Sequence, residues 1–125
     1  MITDEIIHDS IAKTKEFGAA AGMLPCFDSM FSVEDPQSNL IGGRQRREML
    51  YRGMGPDATS YGMAIKLFDK YLPTNTNLTL AEMFLDSGIP IAKSKSSSRC
   101  IKLTTLEDVE LFHAMLKYEK YDWLK

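Results

Sequence analysis

Apolar side chains return every three to four positions through the first twenty or so residues: Ile7, Ile11, Phe17 and Ala21 share a face, while Lys13, Lys15 and Glu16 turn to water. The pattern predicts a helix from about Asp4 to Ala20, with Thr3 as its cap and Asp4 and Glu5 in the turn where the helix dipole favours anions. Pro25 closes this unit. Residues 26–43 contain Asp35-Pro36, Ser38-Asn39 and Gly42-Gly43 and read as an irregular connection held by Phe27, Met30, Phe31 and Val33. A short helix follows over about Arg44 to Tyr51, before the breaker Gly53-Met54-Gly55-Pro56.

The clearest stripe comes next: Tyr61, Ala64, Ile65, Phe68, Tyr71 and Leu72 keep helical spacing up to Pro73, with Asp57 or Gly55 as a candidate cap. Thr79-Leu80-Ala81-Glu82 has the form of a capping box, with Leu78 and Met83 at staple positions and Gly88 where a helix would end. Ile89–Ala92 and Arg99–Leu103 read as two short strands of a hairpin around a Ser/Lys tip, and a last helix runs from Thr105 to about Tyr121. The expectation is an α+β fold, a mainly helical single domain over 1–125, with about five helices and one small β-hairpin before the last. A lone hairpin is marginal, so it must pack on the helices or pair across a homodimer.

Composition narrows the classes. The chain has 125 residues, 44% of them hydrophobic and 26% charged, as in an ordinary soluble domain. No apolar run is long enough for a membrane span. The N-terminus carries acids where a signal peptide would carry lysine or arginine, and Cys26 and Cys100 cannot make a disulfide framework, so a cytoplasmic protein is expected.

Charge is segregated along the chain. Residues 43–52 hold Arg44, Arg46, Arg47 and Arg52 against one glutamate, and residues 93–102 hold Lys93, Lys95, Arg99 and Lys102 with no acid. One-sign patches of this kind steer partners of the opposite sign. Gly42-Gly43-Arg44 lacks the spacing of a phosphate-binding P-loop. Leu80–Ile89 has the look of the first helix and turn of a helix-turn-helix, but the serines and lysines after Pro90 cannot bury a recognition helix.

Candidate catalytic chemistry is sparse. His8, His113, Cys26 and Cys100 lack metal-ligand spacing, so no metal or other cofactor is expected. A Cys26–His113 pair stands as a remote enzymatic reading. The eight methionines suit adaptable core filling, while Met30, Phe31, Tyr118, Tyr121 and Trp123 offer apolar surface to a protein partner. No stretch carries the signature of a known family. The reading is a non-enzymatic binding or regulatory protein that grips an anionic partner, nucleic acid or an acidic protein face, through its two basic segments. The alternative is an adaptor or inhibitor docking through the aromatic and methionine surface.

Overall fold

The computed structural model describes residues 2–74 and 77–119. Helix α1 spans Asp4–Phe17, and the Thr3 hydroxyl accepts from the Ile6 N–H at 3.4 Å. It stops at Phe17 rather than Ala20 because Gly18 takes φ +90°, its N–H closing on the Thr14 carbonyl at 2.8 Å. The next residues, Ala19–Pro25, form strand β1. Alanine prefers helix by only a few tenths of a kcal/mol over most residues. Ala19, Ala20 and Ala21 are at most 1% exposed, so burial decides their conformation.

After β1 the chain makes a two-stranded antiparallel ribbon of β2 (Phe31–Ser32) and β3 (Gly43–Arg44), then one 3-10 turn over Arg47–Met49. Strand β4 (Tyr51–Thr59) returns antiparallel to β1, with Ala19 opposite Thr59, Pro25 opposite Tyr51 and a bulge between Ala21 and Met23. Strand β5 (Ala92–Ser94) lies on the other side of β1 and parallel to it, giving the order β4-β1-β5. At the bulge Gly22 lies against β4 so closely that a Cβ there would run into the backbone carbonyl of Gly55.

Three further helices are described. Ser60 caps α2 (Tyr61–Tyr71) by accepting from the Met63 N–H. Thr79 and Glu82 form the capping box of α3 (Leu80–Asp86), beyond which Gly88 takes φ +69°. Helix α4 covers Leu106–Glu119. Ala19, Leu67, Tyr71, Met83 and Phe84 are buried together where α2 and α3 meet the start of β1. The Tyr71 hydroxyl donates to Asp86 Oδ2 at 2.6 Å and ties the two helices. Helix α1 lies along all three strands. Its register is fixed by Asp9, which accepts from the Lys95 N–H at 2.6 Å, and by the Glu5–Lys95 ion pair at 2.6 Å.

Among the described residues this is an α/β arrangement, four helices with a three-stranded sheet, and it corrects the expected mainly helical fold with one hairpin. The hairpin is absent: residues 92–94 do form a strand, but it pairs with β1, and residues 99–103 hold no strand. A turn in which the Cys100 N–H bonds the Ser97 carbonyl at 2.9 Å diverts the second segment. The helix expected over 44–51 shrinks to a single 3-10 turn. Tyr51–Thr59, rich in glycine and carrying Pro56, is a strand because β1 supplies its partner, which local propensity cannot register. Among the described residues no helix is long and apolar enough to cross a membrane.

Two predictions follow from this packing. Gly22→Ala forces backbone against backbone and should destabilise the fold by about 3 kcal/mol, read as a lowered urea midpoint. At the start of α4, Thr104 and Thr105 donate to Asp108 Oδ2 at 2.8 to 2.9 Å, and these bonds, those from Thr104 foremost, hold its carboxyl at about 2, below its ordinary 3.8. The folded value lies below the unfolded one, so this anchor is complete above pH 3.8 and is lost as pH falls through about 2. Protection of the amides in the first turn of α4, taken relative to their intrinsic exchange rates, should fall over that window and stay unchanged across it in Asp108→Ala.

Candidate active site

A cleft of about 820 Å³ opens where β4, the start of α3, residues 99–103 and α4 come together. Its β4 wall includes Gly53 and Gly55, which carry no side chains, flanked by Tyr51 and Asp57. Met23, Met54, Ile101, Leu103 and Phe112 make its apolar surface. The polar groups are Asp57, Thr79, Glu82, Arg99, Cys100 and Lys102. The Gly55 wall is held in position by the Ser96 hydroxyl, which donates to the Gly55 carbonyl at 2.8 Å.

Both carboxylates are oriented by backbone donors. Asp57 Oδ2 accepts from the Ala81 N–H at 3.2 Å, and Glu82 Oε2 accepts from the Thr79 N–H at 2.7 Å. The Thr79 backbone bond leads in lowering the Glu82 pKa, followed by the Thr79 hydroxyl, with the charge of Lys102 helping. Each carboxylate retains lone pairs able to accept from a ligand hydroxyl. Tyr51 is steadied from behind by Lys93, whose ammonium lies 4.0 Å from the ring centroid. The cleft thus offers two cations, two oriented carboxylates and an apolar wall, a set suited to a small, phosphorylated, hydroxyl-rich molecule.

The two basic segments do not form one patch. Of their eight residues only Arg99 and Lys102 line this cleft. Lys93 stacks on Tyr51, and Lys95 is engaged by Glu5 and Asp9 of α1; its pKa is raised, first by the hydrogen bond to Glu5. Arg44 lies in β3 opposite Phe31 and Arg52 in β4 opposite Leu24. Arg46 pairs with Glu48 at 3.5 Å, and Arg47 donates to the Phe27 carbonyl at 3.1 Å, closing the base of the ribbon.

Met30 and Phe31 are exposed on the ribbon, as is Tyr118 on α4, whereas Tyr121 and Trp123 lie outside the described residues. Cys26 is buried with its thiol toward the Asp28 carbonyl, while His8 and His113 are exposed. No group of three or more metal-ligating side chains occurs among the described residues. Tyr51, Asp57 and Glu82 were not legible as site residues. Asp57 has the chemistry of a cap for α2, but Ser60 takes that role and Asp57 reaches across to α3.

No family model matches the sequence. The chain is 26% identical over 121 residues to the ribitol-5-phosphate cytidylyltransferase of Lacticaseibacillus paracasei, covering 94% of this chain and 51% of that protein. It is 26% identical over 118 residues to the 2-C-methyl-D-erythritol 4-phosphate cytidylyltransferase of Alkaliphilus oremlandii, covering 94% and 49%. The chain spans about half the length of the curated relatives it matches.

Among solved structures it is similar to the 2-C-methyl-D-erythritol 4-phosphate cytidylyltransferase of Thermus thermophilus, with a TM-score of 0.78 at 17% identity over 94% of this chain and 57% of that one. The 4-diphosphocytidyl-2C-methyl-D-erythritol synthase of Anaerococcus prevotii gives 0.75 at 19%, over 92% and 53%. These proteins are enzymes, which overturns the expectation of a non-enzymatic binding protein for nucleic acid or an acidic protein face, and the adaptor and inhibitor readings with it. Over nearly its whole length the chain has the fold found in about half of a cytidylyltransferase.

Proposed function

We propose that this chain forms the acceptor side of a cytidylyltransferase site, holding a polyol phosphate while a cytidine nucleotide donates its cytidylyl group. The observation that carries the reading is the convergence of Arg99 and Lys102 with Asp57 and Glu82 in one cleft of a fold shared with such enzymes. Both curated relatives are named for phosphorylated polyols. In the transfer, a phosphate oxygen of the acceptor bonds to the α-phosphorus of cytidine triphosphate as the bond from that phosphorus to the departing pyrophosphate breaks. Two like-charged groups must therefore approach. Arg99 and Lys102 offset the acceptor's charge, Asp57 and Glu82 accept from its hydroxyls, and Tyr51 and Phe112 close its apolar side.

A homodimer belongs to the same reading, with exposed Phe31 and Leu40 of the ribbon packing on a second copy. The cytoplasmic location expected from the cysteines also stays with it.

Calorimetric titration tests the site. Ribitol 5-phosphate should bind and ribitol should not, and Lys102→Ala and Arg99→Ala should each weaken binding about 10- to 100-fold. Equal affinity for ribitol and its phosphate, or unchanged binding in both variants, overturns the reading. In sedimentation, Phe31→Asp with Leu40→Asp should convert a dimer to a monomer.

A further inference from the structure

Helix α1 and strand β5 pack side by side, and the seam between them is tight at one end. There Asp9 accepts from the Lys95 N–H at 2.6 Å, and Ser10 and Ser94 next to that bond are 2% and 5% exposed. Towards the end of α1 the seam opens into a cavity of about 350 Å³, lined by Lys13, Phe17, Pro90, Ile91, Ala92 and Lys93. This cavity and the cleft share no lining residue.

The apolar part of the lining includes two rings. Phe17 is 54% exposed, and Pro90 adds a second flat face. The charge is of one sign: among the described residues the ionisable groups of the lining are Lys13 and Lys93. Glu16 lies 3.7 Å from the Lys13 ammonium in an exposed pair of the kind that water screens, and it is not part of the lining. The end of α1 adds a partial negative charge of about half a unit, against two whole positive ones. Size sets the last limit. A cavity of about 150 Å³ holds one benzene ring, so this one has room for two fused rings with a small charged group.

Lys93 also connects this cavity to the cleft. It belongs to the cavity lining, yet its ammonium lies 4.0 Å from the ring centroid of Tyr51, which lines the cleft.

We propose that the cavity between α1 and β5 is a second ligand site, for a small aromatic carboxylate that Lys13 and Lys93 hold by its charge and that draws Lys93 away from Tyr51. The rings of the ligand cover Phe17, Pro90 and Ile91, which takes apolar surface out of water. The carboxylate wins Lys93 because a charge-assisted hydrogen bond is stronger than an exposed contact between an ammonium and a ring. The site does not depend on which acceptor the cleft takes.

The probe is naphthoate, titrated into the full chain with isotope-labelled methyl groups and tyrosine rings and followed by NMR. The Ile91 and Ala92 methyl signals should saturate at one ligand per chain with a Kd of about 0.1 to 1 mM, the range open to a ligand of this size. The Tyr51 ring signals should shift with the same midpoint. Naphthylmethanol, which has the rings without the charge, should bind at least tenfold more weakly. Lys13→Glu should weaken naphthoate binding at least tenfold and Lys13→Arg should preserve it. Lys93→Met should weaken it similarly and leave the Tyr51 signals unmoved by the ligand. Equal binding of the alcohol, shifts confined to Ile101 and Leu103 of the cleft, unchanged affinity in Lys13→Glu, or saturation at Ile91 and Ala92 without movement of Tyr51 each overturns the proposal.

Discussion

Everything in this chain is arranged around the contact between Gly22 and the Gly55 carbonyl. A sheet whose central strand begins Ala-Ala-Ala-Gly has almost no side-chain bulk to separate its layers, so α1 can lie close along it and β4 can bend at the bulge. The bulge takes Gly55 out of the ladder just before Asp57, which pairs with Ala21. The first becomes the wall that Ser96 secures, and the second reaches the backbone of α3. A residue larger than glycine at position 22 would therefore disturb the cleft as well as the sheet.

The cleft is assembled from segments distant in sequence, and each is fixed by a bond that also serves the fold. Asp57 joins β4 to α3, Ser96 joins the segment after β5 to β4, and Lys95 joins it to α1. Lys93 is spent on Tyr51. Of the second basic segment this leaves Arg99 and Lys102 at the cleft, so most of a run that looks like a steering patch is structural. The four arginines of the first segment are spread over the ribbon and β4, two of them bonded locally. Surface pairs of this kind contribute little stability each, and their value here is geometric.

Burial is uneven across the chain. The main buried cluster lies where α2, α3 and the start of β1 meet, with Ile6 of α1 and Cys26 buried outside it, while Leu106 and Leu111 of α4 are exposed. The cleft lies on the β4 side of the sheet.

The sequence by itself determined what depends on neighbours a few residues away. Thr3 before Asp4 and the Thr79–Glu82 box set helices with the expected starts, and the stripe from Tyr61 to Tyr71 sets a third whose cap is Ser60 rather than Asp57 or Gly55, because caps and i, i+4 contacts are local. It also marked Arg99 and Lys102 as cations of interest. The strands were decided by tertiary structure alone: Ala19–Gly22 prefers helix and Gly53–Pro56 looks like a breaker, and each is a strand only because the other, some thirty residues away, is there to pair with it. The same holds for the site. Whether Asp57 caps its own helix or reaches another, and whether a lysine stacks, pairs with α1 or lines a cleft, is settled by where the sheet brings the segments, which no local pattern encodes.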